Sequence, residues 1–137
     1  MDKHNELVAF YGVRYIVKDV AATVPFYKEL LGFTVDMQAA QGFAKLSKGT
    51  LHLYLNEPGF GGAGQPMPDG TAPAPGGWNR IQLEVINLEA FIETLKTKDA
   101  RFRNELVTGA GGKQILLQDP SGNLVELFEP NEQARSL

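Results

Sequence analysis

Val13-Arg14-Tyr15-Ile16-Val17-Lys18-Asp19 decides the fold, because the pattern returns 68 residues later as Ile81-Gln82-Leu83-Glu84-Val85-Ile86-Asn87. In each copy alternate residues are apolar: Val13, Tyr15 and Val17, then Ile81, Leu83 and Val85. That period of two marks a strand with one face on a core. Each copy ends on an Asx residue able to cap a helix. The helix after Asn87 carries Leu88, Phe91, Ile92 and Leu95 on one stripe, and Val20, Val24, Tyr27 and Leu31 make a similar stripe in the first copy. Pro25 has no N–H and fits only a first helical turn, so the first helix is expected to begin near Thr23 or Val24. Gly32 is a natural stop.

Working outward, three further strands follow each helix. They are expected over Thr34–Ala39, Phe43–Ser47 and Leu51–Asn56, then over Arg101–Val107, Lys113–Gln118 and Asn123–Phe128. Asp119-Pro120-Ser121-Gly122 has the residues of a type I turn. The chain therefore reads as α+β, with a βαβββ module over 10–57 and another over 78–130. A half of under about 60 residues cannot bury both its helix and its sheet. The halves are expected to share a cupped mixed sheet as one domain, 10–130, with helices outside and a ligand inside. Between them, residues 58–77 hold seven Gly and five Pro, a linker or a lid.

Composition narrows the function. The 137 residues carry a net charge of −3 and no Cys. Disulfides, thiolate metal sites and thiol catalysis are excluded, and no basic excess supports nucleic-acid binding. No apolar run is long enough to span a membrane. Met1-Asp2-Lys3-His4-Asn5-Glu6 lacks the features of a signal peptide, which makes the cytoplasm the expected address. Gly59-Phe60-Gly61-Gly62-Ala63-Gly64 matches G-x-G-x-x-G, but Gln65-Pro66-Met67-Pro68 cannot open the helix a dinucleotide needs. Gly109-Ala110-Gly111-Gly112-Lys113-Gln114 lacks the Ser or Thr of a phosphate loop and reads as a turn between strands. His4 and His52 are the only histidines, without paired-ligand spacing, and no serine sits in a nucleophile elbow.

Together with the duplication, Val17-Lys18-Asp19 leading to Phe26-Tyr27 and Leu31-Gly32-Phe33, and Gln118-Asp119-Pro120-Ser121-Gly122-Asn123 leading to Glu126-Leu127-Phe128, resemble the vicinal-oxygen-chelate superfamily. That group includes glyoxalase I, extradiol dioxygenases, and fosfomycin- and bleomycin-resistance proteins. The resemblance covers roughly 10–130 and implies a homodimer, with a metal held by one residue on each of four strands. Those positions fall on Gly12, His52, Arg80 and Glu126. Glycine offers no ligand and arginine repels a cation, so the tetrad is incomplete. No cofactor is expected; a divalent metal on His52 and Glu126 stays open.

Strand alternation turns Arg14, His52, Tyr54, Arg80, Gln82, Glu84, Glu126 and Phe128 toward the concavity. A surface this polar suits a small polar or anionic molecule. Arg14, Tyr54, Arg80, Gln82, Glu84 and Phe128 are the candidate binding residues, with His52 and Glu126 as candidate catalytic groups. Arg80 and Glu126 read equally as an internal ion pair, His52 as an interior histidine, and Tyr54 and Phe128 as core. Trp78 lines the mouth or packs under the loop; Arg101 and Arg103 are solvated or clamp an anion. Three functions remain: a metal-free small-molecule binder, a metal-dependent lyase or dioxygenase of the glyoxalase type, and a metal-independent enzyme using His52 or Glu126 as base.

Overall fold

The structure, a computed structural model, describes residues 7–136; His4 and the rest of the first six residues lie outside them. The first half holds β1 (Val13–Ile16), α1 (Val20–Pro25), β2 (Thr34–Gln38), β3 (Phe43–Lys48) and β4 (Leu51–Asn56). The second holds β5 (Ile81–Glu84), α2 (Leu88–Lys96), β6 (Arg101–Phe102), β7 (Val107–Thr108), β8 (Gly112–Gln118), β9 (Leu124–Pro130) and α3 (Glu132–Arg135). The α+β duplication stands. β1 runs parallel to β4, with Val13 opposite Leu53, and β5 runs parallel to β9, with Ile81 opposite Val125. The remaining strands are antiparallel.

The halves contribute separate sheets, ordered β1-β4-β3-β2 and β5-β9-β8-β6 with β7 also on β8. Side chains, not a strand ladder, join them. Tyr15, Val17, Tyr27, Leu46, Leu53 and Leu55 share one core with Ile81, Leu88, Leu95, Leu117, Val125 and Leu127. A polar seam crosses it. The Tyr15 hydroxyl donates to the Leu124 carbonyl at 2.7 Å and accepts from the Ile81 N–H at 2.8 Å. Tyr27 donates to buried Asp119 at 2.9 Å, and Asn123 Nδ2 donates to the Ile16 carbonyl at 2.8 Å. Burial pushes the Tyr15 phenol up to about 12 and Tyr27 well above its ordinary value.

Both helices start as their caps dictate. Asp19 accepts from Ala22 N–H and Asn87 from Ala90 N–H. The duplication extends to a feature the sequence did not announce: Glu57 accepts from Val20 N–H, and Glu129 from Leu88 N–H, each at 2.8 Å.

Two expectations need correction. The first helix begins at Val20, with Pro25 as the last residue of α1. Pro25 has no N–H to give the Ala21 carbonyl in the turn behind it, and beyond it the chain widens into a π-helical turn over Phe26–Leu30 rather than stopping. Gly32, at φ +73°, then ends the helix, while Phe33 N–H reaches the Tyr27 carbonyl. The strand expected over Arg101–Val107 is broken into β6 and β7. Asn104 Oδ1 accepts from Leu116 N–H at 2.9 Å, taking the place of a ladder carbonyl.

Residues 58–77 contain one short 3-10 turn, Gly62–Gly64, and no helix. Asn56 Nδ2 donates to the Phe60 carbonyl, and Gly76 N–H to Asn123 Oδ1. The Gly109–Gly112 stretch is a turn between β7 and β8, closed by Gly109 N–H on the Gly112 carbonyl.

Candidate functional site

The faces turned away from the core carry two groups of side chains. On the first sheet, Tyr54 of β4 has Arg14 of β1 and Lys45 of β3 as its direct cross-strand neighbours. Arg14 Cζ lies 5.2 Å and Lys45 Nζ 5.7 Å from the centre of the Tyr54 ring, within cation–π range. Arg14 Nη1 donates to Asn56 Oδ1 at 3.2 Å. Tyr11 stacks on Tyr54 at 6.0 Å with 9° between planes, and Phe43 at 6.4 Å with 28°. His52, two residues along the same face, has Nδ1 buried with no hydrogen-bond partner. Nothing orients that ring as a base is normally oriented.

On the second sheet, Glu126 of β9 is held by β5 and the segment before it. Arg80 Nε and Nη2 donate to Glu126 Oε1 at 3.0 and 2.9 Å, and Gln82 Nε2 donates to Oε2 at 2.7 Å. The Arg80 side chain is 28% exposed and that of Glu126 only 9%. The internal ion pair is therefore present, with the open side of the guanidinium facing solvent. Arg80 Nη1 also donates to the Trp78 carbonyl at 3.2 Å. Trp78 is exposed at this rim, with Arg103 Cζ 5.3 Å from its ring centre. Gln82, Glu84 and Phe128 line a groove of about 460 Å³ that α3 closes, Arg135 meeting Glu84 at 3.0 Å.

The structure thus splits the expected residues. Arg14, His52 and Tyr54 share one face; Arg80, Gln82, Glu84, Glu126 and Phe128 share another. No hydrogen bond, ion pair or ring contact among the described residues joins the two groups. Lys45 was missed, although its place opposite Tyr54 follows from β3 alternation once the hairpin register is fixed. Arg135 was missed because no strand pattern announces the short α3.

The four positions implied for a metal do not fit a divalent cation. A Cβ built on Gly12 would lie 2.5 Å from Tyr54 Cε2, so the tyrosine ring fills the space a ligand there would need. Arg80 puts a fixed positive charge on Glu126, whose two oxygens already accept three donors. Among the described residues no three His, Asp or Glu side chains converge. Glu126 is likewise held as an acceptor rather than poised to take a proton.

The family model for the Glyoxalase/Bleomycin resistance protein/Dioxygenase superfamily matches residues 9–127. No curated protein sequence matches the chain significantly. Solved structures share its fold. Lactoylglutathione lyase from Agrobacterium tumefaciens superposes with a TM-score of 0.69 at 18% identity, covering 90% of this chain and 95% of that one. The genomically encoded fosfomycin resistance protein of Listeria monocytogenes gives 0.71 at 16%, covering 95% and 97%. A superfamily member from Sphaerobacter thermophilus gives 0.68 at 22%, covering 89% and 98%. At these identities the likeness speaks for the fold alone.

Proposed function

This chain belongs to the Glyoxalase/Bleomycin resistance protein/Dioxygenase superfamily, and from that membership we propose that it binds a small polar or anionic molecule on its concave faces without a resident metal. One observation carries the reading: Arg80 and Gln82 set three donors on the Glu126 carboxylate where the superfamily resemblance places a ligand. A guanidinium has five N–H donors. Three named bonds leave two free, on a group more than a quarter exposed, to meet an oxyanion or carbonyl. His52 and Glu126, as held here, support binding more than base catalysis.

The same reading makes the protein a cytoplasmic homodimer. No helix among the described residues is long and apolar enough to cross a membrane.

The test is metal content by mass spectrometry on protein purified without an affinity metal, then calorimetric titration with nickel, zinc, manganese and iron(II). The expected result is substoichiometric metal and no binding tighter than millimolar. Near-stoichiometric metal, lost in Glu126→Gln, would return the glyoxalase-type lyase and dioxygenase chemistry to first place.

A further inference from the structure

We propose that Arg14, Lys45 and Tyr54 form an oxyanion subsite whose ligand is an aromatic carboxylate. The proposal rests on the small-molecule reading above and names its substrate class. It starts from an imbalance of charge. Two cations are the direct cross-strand neighbours of one tyrosine and reach within 6 Å of its ring centre. They stand on strands either side of β4, about 10 Å apart at the backbone, and converge on one ring with the same sign of charge. Neither has a counter-ion: the ion pairs among the described residues join Arg80, Lys96, Lys113 and Arg135 to carboxylates and leave out Arg14 and Lys45. Lys45 is half-buried and Arg14 is exposed, so a ligand from solvent can reach the pair. Arg14 spends one N–H on Asn56 and keeps four. Asp36 reaches this face, accepting from Ser47 Oγ at 3.1 Å, but among the described residues it makes no ion pair with Arg14 or Lys45; the neighbours of Tyr54 itself are His52, Asn56, Phe43 and Ser47.

The surroundings define what carries the anion. Tyr11 lies flat on Tyr54 and is 80% exposed, and Phe43 stands on the opposite flank of the sheet face. These rings offer a planar ligand stacking area beside the charges. His52 Nδ1, sealed and unpaired on the same face, is a polar atom that the protein itself does not satisfy. A carboxylate on an aromatic ring matches both features: its oxygens take the guanidinium and ammonium donors, and its ring meets Tyr11. A compact inorganic oxyanion would satisfy only the charges.

The experiment is calorimetric titration of the full chain at low ionic strength with benzoate, its neutral isostere benzamide, cyclohexanecarboxylate and inorganic phosphate. Benzoate should bind, with benzamide and cyclohexanecarboxylate weaker by about tenfold or more, as expected when a charge-assisted bond or a stacking contact is lost. Arg14→Gln and Lys45→Gln should each weaken benzoate by about tenfold, with circular dichroism and thermal midpoint unchanged to show that the fold is intact. Benzoate affinity indifferent to both variants, benzamide binding as well as benzoate, or phosphate binding more tightly than benzoate would each overturn the assignment. Trp78, the only tryptophan, reports separately on the Glu126 face. A ligand that changes its fluorescence but ignores Arg14→Gln would sink the subsite and leave the small-molecule reading standing. Stoichiometric metal uptake would sink that reading whatever benzoate does.

Discussion

Replacing Tyr15 by Phe removes one oxygen and strands two backbone groups. Its hydroxyl donates to Leu124 and accepts from Ile81, both inside the core. Phenylalanine fills the same space, so no cavity of consequence opens. The loss is the desolvation cost of an N–H and a C=O left without partners, at about 1–3 kcal/mol each. A total of about 3 kcal/mol follows, which for a chain of this length lowers the thermal midpoint by on the order of 10 °C. The same hydroxyl has a signature in pH. Its folded pKa is raised to about 12 from 10.0. A raised folded value means that the stability it supplies is complete below the unfolded pKa and is lost as pH climbs through the folded one. Two units correspond to about 3 kcal/mol, lost between about pH 10 and 12. Urea unfolding of parent and Tyr15→Phe, at neutral pH and through the alkaline range, measures both. The variant should be weaker at neutral pH and fall less steeply on the alkaline side, with Tyr27 and the Glu89-paired Lys113, both raised above their ordinary values, contributing to the slope that remains. A neutral-pH loss under about 1 kcal/mol, or an unchanged alkaline slope, would refute the seam as described. The residue matters to function because Tyr15 follows Arg14, and Ile81 follows Arg80, so one hydroxyl sets the spacing of the two candidate half-sites.

Other outcomes follow from the site. Gly12→Ala drives a methyl group into the Tyr54 ring and should cost about 1–3 kcal/mol, with shifted Tyr54 ring resonances; an unshifted ring would show that the space is not filled as described. Arg80→Ala leaves a buried carboxylate with Gln82 as its remaining named partner and should cost about 2 kcal/mol, part of which the double variant with Glu126→Gln recovers. A strictly additive double-mutant cycle in chemical denaturation would remove the ion pair from the account. Asp119→Ala deletes the acceptor of Tyr27, Ser121 N–H, Asn123 N–H and Asn123 Nδ2, and a loss of about 3 kcal/mol or more is expected by urea titration; a loss within error of zero would contradict that role.

The strands were legible because both faces of β1 and β5 obey period two, and because Asp19 and Asn87 stand at matching offsets. Pro25 misled because the rule against proline assumes that a helix must keep its 3.6-residue turn, whereas this one widens by a residue. The break at Asn104 was hidden because a side-chain amide can replace a ladder carbonyl, and composition does not show which amide will. At the site, Arg80 and Glu126 were reached through the superfamily resemblance, with opposite charge as the ground for reading them as an ion pair. Lys45 was not, since a lysine on a strand reads as solvated until its neighbour across the ladder is known. The division of the candidates between two faces escaped for a related reason. Alternation says which side of its own sheet a residue occupies and nothing about how two sheets are turned.

The ring of Tyr54 over Gly12 also bears on how such a chain can change over generations. A donor at position 12 and an aromatic at position 54 exclude one another sterically. A lineage acquiring a donor there must therefore either endure the clash first or shrink the tyrosine first, giving up its stacking with Tyr11 and Phe43 and both cation contacts. Each order passes through a less stable intermediate, and Arg80 would have to go as well. The packing of one aromatic ring thus puts a metal-ligating side chain at position 12 out of reach of any single substitution.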